Sequence, residues 1–141
     1  MTWKFTSRPG FAAAAAAGVL LLQLAAARLL LSADAGGVWF AGRRFDTVCF
    51  LRSRFGVPCP TCGMTRSIVL TLHGNWDLAM RINPGGLAWV SASLIASAAL
   101  LVLAWRPGTE MRRWARLFVL VPGLAFALTL AGHWAGALLA R

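Results

Sequence analysis

Apolar positions gather into three long runs, and most of the polar residues that could carry chemistry fall between the first and the second. Residues 11–31 are rich in alanine and leucine, with Gln23 and Arg28 as their only polar side chains. Residues 87–105 are 19 positions without a charge, and 117–139 are 23 more, with Pro122-Gly123 near one end. At about 1.5 Å of rise per residue, each run is long enough as a helix to cross a hydrocarbon core of about 30 Å. The pattern predicts an all-α integral membrane protein with transmembrane helices at about 11–31, 87–105 and 117–139, a single membrane domain over 1–141. Pro122 is expected to kink the third span, Arg28 to snorkel towards headgroups, and Trp89, Trp105, Trp114 and Trp134 to anchor span ends at the interface. A basic start and Ala33-Asp34-Ala35 before Gly36 resemble a signal-peptide cleavage site. The apolar run nevertheless exceeds the roughly 7–15 residues of a signal core, so an anchored first helix is expected.

The connector 32–84 reads differently. Gly36, Gly37 and Gly42 break its first half, Arg43, Arg44, Arg52 and Arg54 charge it, and Val48-Cys49-Phe50-Leu51 is too short to span. Pro60 is a helix-start signal and Gly74 a stop, predicting a short helix from Pro60 to His73 with Met64, Ile68, Val69 and Leu72 on one face. Asn75 is expected to cap a second short helix, with Asp77 in its first turn, and Asn83-Pro84 to launch the second span. These two helices are too short to cross and fit interfacial or re-entrant segments.

Composition changes the picture in one respect. The chain is 59% hydrophobic, with 14 Lys+Arg against 4 Asp+Glu and a net charge of +10. Such a balance can signal nucleic acid, but the arginines flank apolar runs and no reading motif accompanies them, so the expected partner is a lipid bilayer and not a nucleic acid. Lys4, Arg8, Arg106, Arg112, Arg113 and Arg116 fall on one side of a three-span topology, and Arg28, Arg43, Arg44, Arg81 and Arg141 on the other. The positive-inside rule then leans towards an inside N-terminus, with the cysteine connector facing out.

The candidate chemistry lies in Cys49, Cys59, Cys62, Arg66, His73, Asn75, Asp77 and Asn83. Cys59 and Cys62, three apart at an expected helix N-terminus, suit thiol–disulfide exchange as the candidate catalytic pair, because helix N–H groups and Arg66 would favour a thiolate. Cys49, Cys59 and Cys62 are also candidate ligands for zinc or another thiophilic metal. His73 is about 16 Å of helical rise from Cys62, so the two cannot share an ion on a straight helix. The third reading is structural: a disulfide or packed thiols, with the polar residues as caps and Arg66 paired to Asp77. His133 and Gln23, alone in their spans, read as helix-to-helix hydrogen bonds. No Ser/His/Asp arrangement or phosphate-cradling glycine loop supports hydrolysis.

Residues 51–84 resemble a family of small bacterial membrane proteins classed as a domain of unknown function. The likeness rests on Gly56-Val57-Pro58-Cys59-Pro60-Thr61-Cys62-Gly63-Met64-Thr65-Arg66, then Leu72-His73-Gly74, then Asn83-Pro84, with Cys49 as an upstream cysteine. The resemblance implies an integral membrane protein of about three or more spans and brings no activity with it. The leading expectation is a non-enzymatic membrane protein whose Cys/Arg/His/Asn cluster fixes the fold or docks a partner, a second copy or another membrane protein. A thiol-redox or metal-handling protein is the rival.

Overall fold

The computed structural model describes residues 9–45, 49–55, 59–105 and 109–139. Val48, Gly56-Val57-Pro58, Arg106, Lys4, Arg8 and Arg141, all invoked above, lie outside the described residues. Helix α1 (Pro9–Leu30) leads into three short strands, β1 (Leu31–Ala33), β2 (Val38–Phe40) and β3 (Arg43–Phe45), followed by α2 (Phe50–Phe55), α3 (Met64–Leu72), α4 (Trp76–Ile82), α5 (Pro84–Trp105) and α6 (Thr109–Leu139). Three of these helices, α1, α5 and α6, are long and apolar enough to cross a membrane. The mostly helical fold with three candidate spans agrees with the sequence reading.

The spans form an antiparallel bundle joined through small residues. A Cβ added at Gly10 would lie 3.0 Å from the Ala104 carbonyl oxygen, so the start of α1 sits against the end of α5. At the other end, a Cβ at Gly85 would meet Leu130 at 3.2 Å, and Trp89 packs edge-on against Phe126 with centroids 5.3 Å apart. Helix α5 therefore lies between α1 and α6. Ala13, Ala17 and Leu24 make the buried stripe of α1, and Gly86, Val90, Ser93 and Ser97 that of α5. Small side chains at helical spacing let backbones approach, and dispersion then drives association in lipid. Helix α6 runs continuously through Pro122, and its large apolar side chains, such as Leu120, Leu124 and Leu128, are exposed where lipid tails would meet them.

The connector folds into a cap at the end shared by α1 and the start of α5. It holds the two expected short helices, α3 and α4, together with a third, α2, and a small antiparallel sheet. Sheet order is β1-β2-β3, with Ser32 opposite Trp39 and Trp39 opposite Arg44. Ala41 and Gly42 both have positive φ, 47° and 75°, the requirement of a two-residue type I′ hairpin turn. The Ala33–Gly37 stretch that resembles a cleavage site is the β1–β2 turn. There the Asp34 carboxylate accepts from the Gly36 and Gly37 amides at 2.7 and 2.8 Å and from the Trp39 indole at 3.1 Å. The two amides, Gly37 first, hold its carboxyl below the ordinary value, and the Trp39 indole and the Arg44 charge act in the same sense.

Two local expectations are corrected. Helix α3 starts at Met64 rather than at Pro60, because residues 60–63 form tight turns (Cys62 N–H to Cys59 O, 3.2 Å; Met64 N–H to Thr61 O, 3.1 Å) that end on left-handed Gly63, φ 78°. An α-helix cannot pass through a left-handed residue. Asn75 occupies the cap position of α4, but its side chain makes no capping bond, whereas the Asn83 carboxamide does cap α5, accepting from the Gly85 amide at 2.8 Å. Gly74, φ 84°, ends α3 as expected: Asn75 N–H reaches Leu70 O at 3.0 Å and Gly74 N–H reaches Thr71 O at 3.1 Å, a complete Schellman motif.

Candidate functional site: a three-cysteine cluster in the cap

Two separate pieces of chain bring the thiols together. Cys49 stands immediately before α2, where its carbonyl accepts from Ser53 N–H at 2.9 Å, and Cys59 and Cys62 flank the Pro60-Thr61 turn. Their sulphurs all lie within 4.8 Å of one another, and each cysteine is half-buried and unbridged.

What holds the turn in place is Asn83. Fully buried, it donates from Nδ2 to the carbonyls of Pro60 (3.0 Å) and Cys62 (3.1 Å) while its Oδ1 caps α5. One side chain thus ties the cysteine turn to the start of the second span. Ser67 braces the same node from α3, its buried hydroxyl within 2.6 Å of Asn83 O and 3.0 Å of Ala79 O, and the single proton serves one carbonyl or is shared. The sequence marks Asn83 as a helix cap and as a member of the candidate polar cluster, but gives no sign of Ser67, since a lone helical serine carries no signal.

The three thiols are not equivalent. The Thr61 hydroxyl, 3.2 Å from the Cys59 sulphur, is the main cause that lowers Cys59 to about 7, helped by the Thr61 amide and the neighbouring thiols against a contrary effect of burial. Burial, with Cys49 and Cys59 close by, pushes Cys62 up to about 12. From Pro60 as a helix start, Cys59 is expected at a helix N-terminus. The helix begins five residues later, and a hydrogen bond inside the motif takes that role.

Arg66, on α3, does not meet the acid expected beside it, and His73 caps the far end of that helix. Arg66 Nη1 donates to Ala35 O in the hairpin turn at 2.8 Å, and no Arg66–Asp77 ion pair forms among the described residues. His73 is at the opposite end of α3 from the thiols. Its Nδ1 lies 2.8 Å from Val69 O and its Nε2 3.2 Å from Arg28 Nη1. A carbonyl can only accept and a guanidinium only donate, so the two contacts are both made with Nδ1 donating to Val69 O and Nε2 accepting from Arg28. Arg28, exposed near the end of the first span, ties that span to the end of α3. Asp77 and Asn75 are exposed and stand apart from the thiols.

A cavity of about 1020 Å³ opens beside the cluster. The sheet supplies Val38, Phe40 and Phe45, α3 supplies Thr65 and Arg66, and all three cysteines border it. No curated protein matches the chain. No solved structure matches it either. Residues 49–105, from the first cysteine of the cluster to the last residue of α5, match the model of a family described as a protein of unknown function, DUF2752.

Proposed function

We propose that Cys49, Cys59 and Cys62 form a thiolate site for a thiophilic metal ion, zinc(II) or copper(I), and that the protein handles that ion at the membrane surface. The convergence of three sulphurs within 4.8 Å carries this reading. Thiolates about 2.3 Å from a tetrahedral ion lie roughly 3.8 Å from one another, so the cluster needs to contract by no more than about an ångström to close on one. A disulfide would use two sulphurs and leave the third idle, whereas a metal uses all three. Thiolate donors select soft ions over magnesium or calcium. His73, turned towards Arg28, takes no part.

The decisive measurement is the metal content of protein purified in mild detergent with reductant. About one equivalent is expected, falling below about a tenth in Cys49→Ser, Cys59→Ser and Cys62→Ser variants that melt like the parent. Folded, metal-free parent protein would reject the reading. In that event, the contrast between Cys59 at about 7 and Cys62 at about 12 favours a second one, thiol–disulfide exchange with Cys59 attacking and Cys62 resolving.

The same contrast sets the pH dependence. Metal binding needs thiolates, so every thiol still protonated must release a proton as the ion enters. Above about pH 7 Cys59 is mostly ionised but Cys62, at about 12, is not, so affinity should rise at least tenfold per pH unit. Below about pH 7 Cys59 must also ionise, and the slope should steepen to at least a hundredfold. Competition with a chromophoric chelator between pH 6 and pH 8.5 reads this directly, and a flat profile would contradict it.

We further propose that the cap lies on the outer face of a bacterial inner membrane, a reading supported by the compact basic set Arg106, Arg112, Arg113 and Arg116. Labelling of metal-stripped cysteines by an impermeant maleimide in intact cells is the expected result, and labelling only after permeabilisation would reverse the orientation.

A further inference from the structure

We infer that the cavity beside the cysteines receives a small organic thiol bearing a carboxylate, whose sulphur supplies the fourth ligand of the metal and whose carboxylate meets Arg66. The inference rests on the metal reading of the cluster and extends it to a substrate class.

Three features of the cavity point there. The first is size. At about 1020 Å³ it is far larger than an ion and a water need, since water occupies roughly 30 Å³ in the liquid, and it matches the volumes that hold small molecules. The second is ligand count. The cluster holds three donors, and among the described residues no histidine, aspartate, glutamate or fourth cysteine joins it. Among the described residues a tetrahedral zinc ion is thus one ligand short, and the three sulphurs border the cavity from which that ligand would come. A soft ion on thiolates takes sulphur in preference to oxygen.

The third feature is Arg66. Its side chain lines the cavity, with Nη1 donating to Ala35 O at 2.8 Å and Nε buried without a hydrogen-bond partner. No carboxylate lies within 4 Å of it among the described residues, and the nearby hairpin acid, Asp34, is taken up by the Gly36 and Gly37 amides and the Trp39 indole. A half-buried guanidinium with no acid beside it is matched by an anion, and its planar fork fits a carboxylate. The Phe40–Phe45 pair, packed edge-on with centroids 6.3 Å apart, offers the apolar wall against which a short carbon stem would lie.

Cobalt(II) makes the test visible, because its absorption in a thiolate site reports each change of ligand. Full-length protein in mild detergent is loaded with cobalt(II) and titrated with mercaptopropionate, with mercaptopropanol (sulphur, no carboxylate) and with butyrate (carboxylate, no sulphur). Mercaptopropionate should change the spectrum saturably and bind at least about tenfold more tightly than mercaptopropanol, while butyrate leaves the spectrum unchanged. Arg66→Gln should erase the tenfold preference with cobalt stoichiometry intact, and Arg66→Lys should restore part of it. Equal binding of the two thiols, a preference that survives in Arg66→Gln, or bleaching as the thiol strips the ion would each overturn the inference. So would an Arg66→Gln variant that loses cobalt affinity but keeps the preference, since Arg66 would then serve only to offset thiolate charge. If cobalt loads and no thiol alters the spectrum, the inference fails alone. If cobalt does not load, the zinc(II) form of the metal reading fails and takes the inference with it.

Discussion

Replacing Gly86 with alanine is expected to destabilise the protein by about 3 kcal/mol, lowering the unfolding midpoint by on the order of 10 °C. The reason is the closeness of α5 to α3. A Cβ at position 86 would lie 2.5 Å from Ser67 Cβ and 2.7 Å from the Ile68 amide nitrogen, and it would also meet the Ser67 hydroxyl. A flexible side chain can swing away from a new methyl group, but the Ile68 backbone cannot unless the whole of α3 moves. Ser67 is fully buried and braces the carbonyls of Ala79 and Asn83, so that movement would also break the node that holds the cysteine turn. Thermal unfolding in mild detergent, followed by tryptophan fluorescence, gives the shift. Gly132→Ala is the control: nothing lies within 4 Å of a Cβ there, and the better helix propensity of alanine should leave stability unchanged or raised by up to about 1 kcal/mol. Equal midpoints for the two variants would refute the close contact.

Asn83→Ala is expected to cost a comparable amount and to cost the metal as well. The substitution removes both donors to Pro60 O and Cys62 O and the acceptor for Gly85 N–H. Asn83 is fully buried, so the groups left behind regain water poorly, and each orphaned partner costs about 1–3 kcal/mol. The sum is roughly 3 kcal/mol or more, a large part of the 5–15 kcal/mol that typically holds a fold together. Because two of the three bonds end on the turn between Cys59 and Cys62, metal content should fall with stability. Asn83→Asp should not rescue it: aspartate can still accept from Gly85 but donates to neither carbonyl, and it adds a buried charge. A variant that melts within about 1 kcal/mol of the parent and keeps its metal would show that the turn holds itself.

The spans were legible in the sequence because membrane crossing is nearly a one-dimensional property: some twenty apolar residues in a row suffice, whatever lies beside them. Gly74 as a helix stop and Asn83-Pro84 as a helix start were legible for a similar reason, since each signal acts on backbone groups within a few residues. Cys49, Cys59 and Cys62 could be named as one candidate ligand set from their residue type and spacing. The start of α3 was misread because Pro60 gives a strong local signal, while Gly63 carries no mark that it takes a left-handed turn. Had only helix rules operated, Cys59 would owe its acidity to a helix dipole; it owes it chiefly to Thr61, a residue within the motif whose hydroxyl direction no spacing rule supplies.

The sequence by itself thus determined the number and place of the apolar helices, the caps and stops at several of their ends, and the short list of residues from which a site could be built. Only the tertiary structure decided which of those residues meet. It brought Cys49 to a pair ten and thirteen positions away. It turned Arg66 to the hairpin rather than to Asp77, paired His73 with Arg28 across 45 positions, and set Ser67 against a glycine on the second span. Each of these is a contact between surfaces that are distant in the chain, selected by packing around small residues and by the need to satisfy buried polar groups, and neither constraint exists until the helices and the hairpin have come together.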